Sequence, residues 1–287
     1  MSKTVESLLS FPDEVEFYQN YWNKKPFFVS KGVSEIIING LISADELAGL
    51  SLEEDIRSRI VRSGKTPQDW ICEHGPFEET IFSSLPERNW SLLVQDVEKN
   101  HPPTADILDP FSFSPCWLIN DVMVSYSTPG GGVGPHLDSY HVFLIQGMGK
   151  RSWKIGREKI RKEKYIEGLD LKILSEEFIG DEFEVEAGDV IYIPPLFPHS
   201  GETIVESMTY SVGFLGPSMA ELLIEFGHYI EEQESLNNRY DGGLLDANSS
   251  GIDMDESEVN NFRTSLTDLI RSDQFEEWLR RYFKNED

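Results

Sequence analysis

Three side chains in this sequence could hold one metal ion. His136 and Asp138 stand two apart in GPHLD, and residues i and i+2 of an extended strand project to the same face, so an imidazole and a carboxylate can reach one point. A third candidate, His199, closes the segment GDVIYIPPLFPH, where a strand entering at Val190 and stopped by Pro194-Pro195 would present it on a short loop. Two histidines and one carboxylate on one face of a metal leave positions open for substrate and dioxygen, the arrangement of non-haem Fe(II) oxygenases. An H-x-D pair alone arises often by chance. Joined to the downstream G-D-x-x-x-x-P-P-x-x-x-H, it becomes specific. Two competing readings are hydrogen-bonded turn histidines in a metal-free barrel, and zinc, which also accepts two histidines and a carboxylate. No HExxH helix accompanies these ligands.

Strand parity extends the site beyond the metal. With His136 and Asp138 inward, Tyr140, Val142 and Leu144 follow them, while His141, Phe143 and Ile145 face away, so His141 is not a ligand. The turn GMGK then reverses the chain into Arg151-Ser-Trp153-Lys154, where the indole prefers the interior and takes Arg151 inward with it. An inward cation is costly unless paired with an anion. A dicarboxylate cosubstrate would supply that partner, because a guanidinium holds a carboxylate by two parallel hydrogen bonds; a structural salt bridge is the alternative. On the preceding strand Asp121, Met123, Ser125 and Ser127 share one parity. Asp121 could recognise a cationic substrate side chain, and Ser125 or Ser127 the cosubstrate carboxylate. The triple glycine 130–132 is no phosphate loop, since neither GK[ST] nor a helix follows it; it lets the backbone pass close to the site entrance.

Three regions must position these residues. Residues 116–216 are dense in short strand patterns separated by glycine: Val122–Thr128, Leu137–Gln146, Arg151–Gly156, Phe183–Val185, Val190–Pro194 and Met208–Phe214. Such punctuation points to a sandwich or barrel. In residues 1–115 a helical pattern runs from Glu14 through Phe17, Tyr21 and Trp22, a capping box at Ser43 and Glu46 starts another helix, and Ile56–Val61 and Trp90–Val97 read as strands. Residues 217–287 turn helical, with a capping box at Ser218 and Glu221 and apolar stripes through Leu222, Leu223, Phe226 and Ile230. The polar segment DGGLLDANSSGIDMDES separates this helix from one carrying Val259, Phe262, Leu266, Leu269 and Ile270, followed by a short helix with Phe275, Trp278, Leu279, Tyr282 and Phe283. The stripes either pack on the barrel or associate with a second copy.

Composition narrows the function classes. Of 287 residues, 51 are Asp or Glu and 25 are Lys or Arg, a formal charge of −26. Capture of nucleic acid is disfavoured, because affinity for a polyanion comes largely from Lys and Arg at phosphates. A basic protein would instead be steered to this surface, with solubility as an equal explanation of the acidity. No apolar run approaches the roughly 20 residues of a bilayer span, and the amino terminus lacks a basic segment followed by an apolar one; the expectation is a soluble cytoplasmic protein with no membrane partner. Cys72 and Cys116 are too few for a disulfide scaffold and are expected to be buried, reduced thiols.

At PGGGVGPHLDSYHVFLIQGMGKRSWKIG and GDVIYIPPLFPH, with weaker echoes at YWNKKPFFV and WSLLVQDV, the sequence resembles the cupin-fold JmjC-type 2-oxoglutarate oxygenases, and among them the bacterial ribosomal oxygenases. The resemblance covers roughly residues 15–216. It implies a mainly β fold with α elements: a double-stranded β-helix (cupin, or jelly-roll) barrel flanked by N-terminal helices over 1–115, a catalytic core over 116–216 and a C-terminal helical module over 217–287 used for homodimerisation, with no room for a complete winged helix. It implies Fe(II) at His136, Asp138 and His199, 2-oxoglutarate on Arg151 with help from Ser127, O2 as co-reactant, and an arginine substrate among Asp121, Tyr140 and Ser211. The function implied is hydroxylation of an arginine of a basic ribosomal protein. Histidyl hydroxylation of a ribosomal protein and a turnover-free cupin-like scaffold are the alternatives.

Overall fold

The computed structural model describes residues 5–64, 66, 69–233, 238–240 and 254–284. Two compact units divide the chain, Met1–Gly216 and Pro217–Asp287. Ten strands occupy the first: β1 (Glu6–Leu8), β2 (Phe27–Val29), β3 (Ser58–Arg62), β4 (Ile71–His74), β5 (Trp90–Val94), β6 (Ile119–Ser127), β7 (His141–Gly156), β8 (Gly180–Glu186), β9 (Val190–Ile193) and β10 (His199–Phe214). They form one mixed sheet in the order β1-β2-β9-β7-β10-β6-β5-β3-β4, with β8 also paired to β7. The pairs are antiparallel except β1 with β2.

The spine is the pair of sixteen-residue strands β7 and β10. β9 lies along residues 142–145 of β7 and β8 along residues 150–156, so one strand serves two neighbours in succession as the sheet rolls into the jelly-roll barrel. Alternation along β7 divides the apolar side chains between two clusters. Phe143 and Ile145 join Val122, Val124, Tyr192, Tyr210 and the N-terminal residues Phe17, Tyr21 and Leu47 in the larger. Val142, Leu144, Trp153 and Ile155 join Ile191 and Ile193 in the smaller, on the site side. His141 takes the outer face as parity requires, stacking on Trp22 at 3.4 Å between ring centroids and meeting the Tyr192 hydroxyl at 2.7 Å.

Three local expectations are corrected. Residues 147–150 do not reverse the chain; β7 runs straight through them. Two glycines there make a bulge instead: Gly149 has φ +69°, and a Cβ on it would stand 1.8 Å from the Glu206 carbonyl oxygen. The β10 register slips across this stretch, between Thr203 and Thr209. The bulge shifts side-chain parity by one, so Leu144 and Arg151, an odd number of residues apart, face the same cavity. Second, His136 and Asp138 precede β7, and His136 meets the sheet through an isolated bridge to His199. Third, His199 opens β10 and is not held on a loop.

The thiols also differ from expectation. Cys72 is half-buried, because β4 is the terminal strand of the sheet, and Cys116 is exposed in the short turn Cys116–Leu118; both are unpaired by disulfide. The capping boxes at Ser43 and Ser218 are both formed, and open the helices Ala44–Leu50 and Met219–Glu232. Within the second unit Phe226 and Trp278, 4.9 Å apart, form a small buried centre with Phe275, while Leu223, Val259, Leu266 and Ile270 are exposed. Most of the polar segment DGGLLDANSSGIDMDES, residues 241–253, lies outside the described residues. Among the described residues no helix is long and apolar enough to cross a membrane.

Candidate active site

The sheet encloses a cleft of about 450 Å³ lined by His136, Asp138 and His199 together with Tyr140, Arg151 and Trp153. One ligand atom from each of His136, Asp138 and His199 lies within 4.8 Å of the others. Backbone hydrogen bonds build this geometry: the His136 and His199 amides each donate to the other's carbonyl at 2.9 and 2.8 Å, and the Leu196 amide donates to the Asp138 carbonyl at 2.8 Å. The two segments that carry the ligands are thereby clamped side by side, although the sequence holds them some sixty positions apart.

The imidazoles are oriented by their own chains. Nδ1 of His136 lies 2.9 Å from the carbonyl of Gly134, and Nδ1 of His199 lies 3.1 Å from that of Phe197. A carbonyl can only accept, so each Nδ1 carries a proton and Nε2 is the ring atom turned away from its own backbone. The His199 Nε2 faces Asp138 Oδ2 at 3.5 Å. Burial, reinforced by the neighbouring His136, pushes the His199 pKa down to about 4, so it is neutral at pH 7 and free to donate to a metal. Two imidazoles with Nδ1 on a carbonyl, beside a carboxylate, fit a divalent cation of the iron type.

Arg151 also lines the cleft and is 4% exposed. Its Nη1 donates to Thr209 Oγ1 at 3.2 Å and its Nη2 to the Gly201 carbonyl at 3.4 Å, while Nε has no partner. Thr209 in turn donates to Gln146 Oε1 at 3.1 Å. No carboxylate among the described residues pairs with this guanidinium, and desolvation lowers its pKa to about 10. A buried cation with an idle donor fits an incoming carboxylate, and the structural salt bridge weighed as the alternative is absent among the described residues. Ser127 is fully buried and donates to Ser91 Oγ at 2.7 Å on the same cleft wall.

At the other end, Met123, Ser125 and Tyr140 line the cleft as strand parity predicts, and Ser211, expected there from the family resemblance, lines it too. Asp121 sits just beyond that lining, flanking Gly213 opposite the Tyr140 ring. It is 8% exposed; its Oδ1 accepts from Asn120 at 3.2 Å and its Oδ2 has no partner. Burial raises the pKa of this carboxyl. Sequence reasoning missed Thr209, Gln146 and Ser91. The signal for Thr209 was available, because it shares parity with Ser211 on β10; Gln146 and Ser91 carry none without the pairing of the strands.

The description "JmjC domain" matches residues 106–222. The chain is 41% identical over 274 residues to the ribosomal protein uL16 3-hydroxylase of Escherichia coli, across 94% of this chain and 70% of that one. It is 34% identical over 209 residues to a probable ribosomal oxygenase of Haemophilus influenzae, across 72% of this chain and 50% of the relative. The X-ray structure of E. coli YcfD superposes with a TM-score of 0.80 at 38% identity, covering 97% of this chain and 73% of that one. The same E. coli ribosomal oxygenase in complex with cobalt and 2-oxoglutarate superposes with a TM-score of 0.77 at 39% identity, over 94% and 70% of the two chains. A rolled sheet that clamps two histidines and an aspartate beside a buried, unpaired arginine, in a chain this similar over this length, belongs to the JmjC-domain ribosomal oxygenases.

Proposed function

We propose that this chain is an Fe(II)- and 2-oxoglutarate-dependent protein hydroxylase acting on an arginine of a basic ribosomal protein, with the counterpart of uL16 as the first candidate. The observation that carries the reading is the pairing of two idle recognition groups in one cleft: a three-ligand set with all its donor atoms within 4.8 Å, and a buried guanidinium that lacks an anion. His136, Asp138 and His199 would hold the metal. When bound, iron with 2-oxoglutarate and dioxygen supplies the oxidising equivalents for inserting one oxygen atom into a C–H bond.

The chain's own residues supply placement. Arg151, held by Thr209 and the Gly201 carbonyl, grips the cosubstrate carboxylate far from the metal, and Ser127 offers a hydroxyl on the adjoining wall. Asp121 presents Oδ2 as a buried acceptor without a donor, which suits an entering guanidinium better than a neutral imidazole. Tyr140, whose hydroxyl is kept protonated by burial, and Ser211 flank the path between Asp121 and the metal ligands. Near-attack placement of this kind accounts for several kcal/mol of an enzymatic barrier, of order 7–11 in the best-oriented cases. The charge of −26 steers a basic protein to the surface of this chain. The exposed apolar residues Leu223 on one C-terminal helix and Val259, Leu266 and Ile270 on the next support a second copy as partner, and the cytoplasm, where ribosomal proteins reside, is the compartment of action.

The test is incubation of the full chain with Fe(II), labelled 2-oxoglutarate and ribosomal proteins. Succinate release together with one added oxygen on an arginine-containing peptide is expected. Succinate with oxygen on a histidine would refute the arginine assignment, and no succinate with any ribosomal protein would refute the enzyme reading.

A further inference from the structure

The cleft carries a second convergence of ligand atoms at its mouth. Cys72 and His74 are two apart on β4 and project to one face, and Asp170 reaches them from the segment that joins β7 to β8. One ligand atom from each lies within 4.8 Å of the others, and His74 and Asp170 both line the cleft. His74 Nε2 is 2.7 Å from Asp170 Oδ2 and 3.8 Å from Cys72 Sγ. Thiol and carboxylate thus address the same ring nitrogen. A nucleophilic triad requires the opposite arrangement, with the acid on one imidazole nitrogen and the nucleophile on the other. The set is also poor as a hydrogen-bond network, because one ring nitrogen has a single in-plane position, filled by either a proton or a lone pair. A cation satisfies all three groups together.

We propose that Cys72, His74 and Asp170 form a second metal site, for a soft divalent cation of the Zn²⁺ type, at the mouth of the cleft. Tetrahedral zinc bonded at about 2.3 Å to sulfur and about 2.0–2.1 Å to nitrogen and oxygen sets the sulfur roughly 3.6 Å and the oxygen roughly 3.3 Å from the nitrogen. The sulfur already stands near that distance. The carboxylate must withdraw by about half an ångström, a small rotation for side chains 59% and 74% exposed at His74 and Asp170. On binding, Cys72 releases its thiol proton to solvent and the fourth position is left to water. The thiolate separates this site from that of His136, Asp138 and His199, which offers only nitrogen and oxygen and so ranks cations differently. A bound cation ties the β7–β8 segment to β4 at the edge of the cleft.

The full chain, titrated with Co²⁺, provides the test. A thiolate-to-cobalt charge-transfer band in the near ultraviolet reports sulfur ligation and is blind to the other site. Wild type and Cys116→Ser are expected to show the band and to lose it on adding Zn²⁺. His136→Ala keeps it, which separates this proposal from the hydroxylase reading. Asp170→Asn needs about tenfold more cobalt or beyond, the least expected when a metal loses a supporting group, and Cys72→Ser lacks the band. No thiolate band in wild type, or one that survives Cys72→Ser, overturns the proposal.

Discussion

Replacing Arg151 by Met separates the cost of a buried charge from its use. The guanidinium is 4% exposed, keeps one donor idle and has no carboxylate partner among the described residues. Desolvation accordingly pulls its pKa to about 10, a penalty borne by the protein without cosubstrate. Met keeps an unbranched apolar stem and removes the charge together with the guanidinium, whose carbon stands 4.9 Å from the Trp153 ring centroid. The ligand-free variant should therefore melt at or above the wild-type temperature. Cosubstrate binding should fall by about 2–5 kcal/mol, the usual loss when one partner of a buried charge pair is truncated, or roughly 30-fold to several-thousand-fold. Two measurements check this: calorimetric titration of the cobalt-loaded protein with 2-oxoglutarate, and its melting curve with and without ligand. At 100 times the dissociation constant a ligand adds about 2.7 kcal/mol, worth roughly 5–10 °C at about 2–4 °C per kcal/mol for a chain of this order. The variant should lose that shift. A variant that binds 2-oxoglutarate like wild type, or that melts several degrees lower without ligand, would show that Arg151 is a structural cation and refute the reasoning.

Further outcomes follow from the same geometry. His136→Ala should abolish succinate release and weaken cobalt binding at the Asp138 and His199 site by more than the roughly 10–100-fold typical of losing a mere supporting group, read by calorimetry against a Cys72→Ser background. Gly201→Ala should raise the KM for 2-oxoglutarate with little change in protein-substrate binding, since a Cβ there would stand 2.7 Å from Arg151 Nε and 2.9 Å from the Trp153 ring; an unchanged KM would disprove the crowding. Burial holds the His141 pKa down to about 3, against an ordinary value of 6.5. The unfolded chain therefore binds a proton that the native one refuses, and stability is lost as pH falls below 6.5. From pH 6.5 to pH 5 this group should cost about 2 kcal/mol, at roughly 1.4 kcal/mol per pH unit, and His141→Phe, which preserves a ring against Trp22, should flatten the slope in a pH series of denaturant melts.

The metal ligands were legible because their chemistry is written in residue type and short spacing, and period-two parity then found Tyr140, Val142 and Leu144 without further information. Arg151 was legible through Trp153, whose indole prefers the interior and shares its face; both line the cleft, although the expected turn is a bulge at Gly149. Strand lengths were not legible: β10 begins at His199, nine residues before the apolar pattern that announced it, because Ser, Gly, Glu and Thr in its first half are chosen for pairing with β7 and not for burial. Cys72 was misjudged for a related cause. Its exposure depends on β4 being the last strand of the sheet, a fact of topology with no local signature. Gln146 and Ser91 become visible only when strands distant in sequence set them beside Thr209 and Ser127.

Each ligand imidazole is anchored to a carbonyl two residues upstream in its own chain, so the ring angles depend on local backbone and not on an ion. The cage stands assembled in advance, and filling it requires neither folding nor a change of tautomer. A set of nitrogen and oxygen ligands follows the intrinsic order of affinity for first-row divalent ions, in which cobalt, nickel and copper stand above iron. Metal supply then takes part in deciding which ion fills the cage.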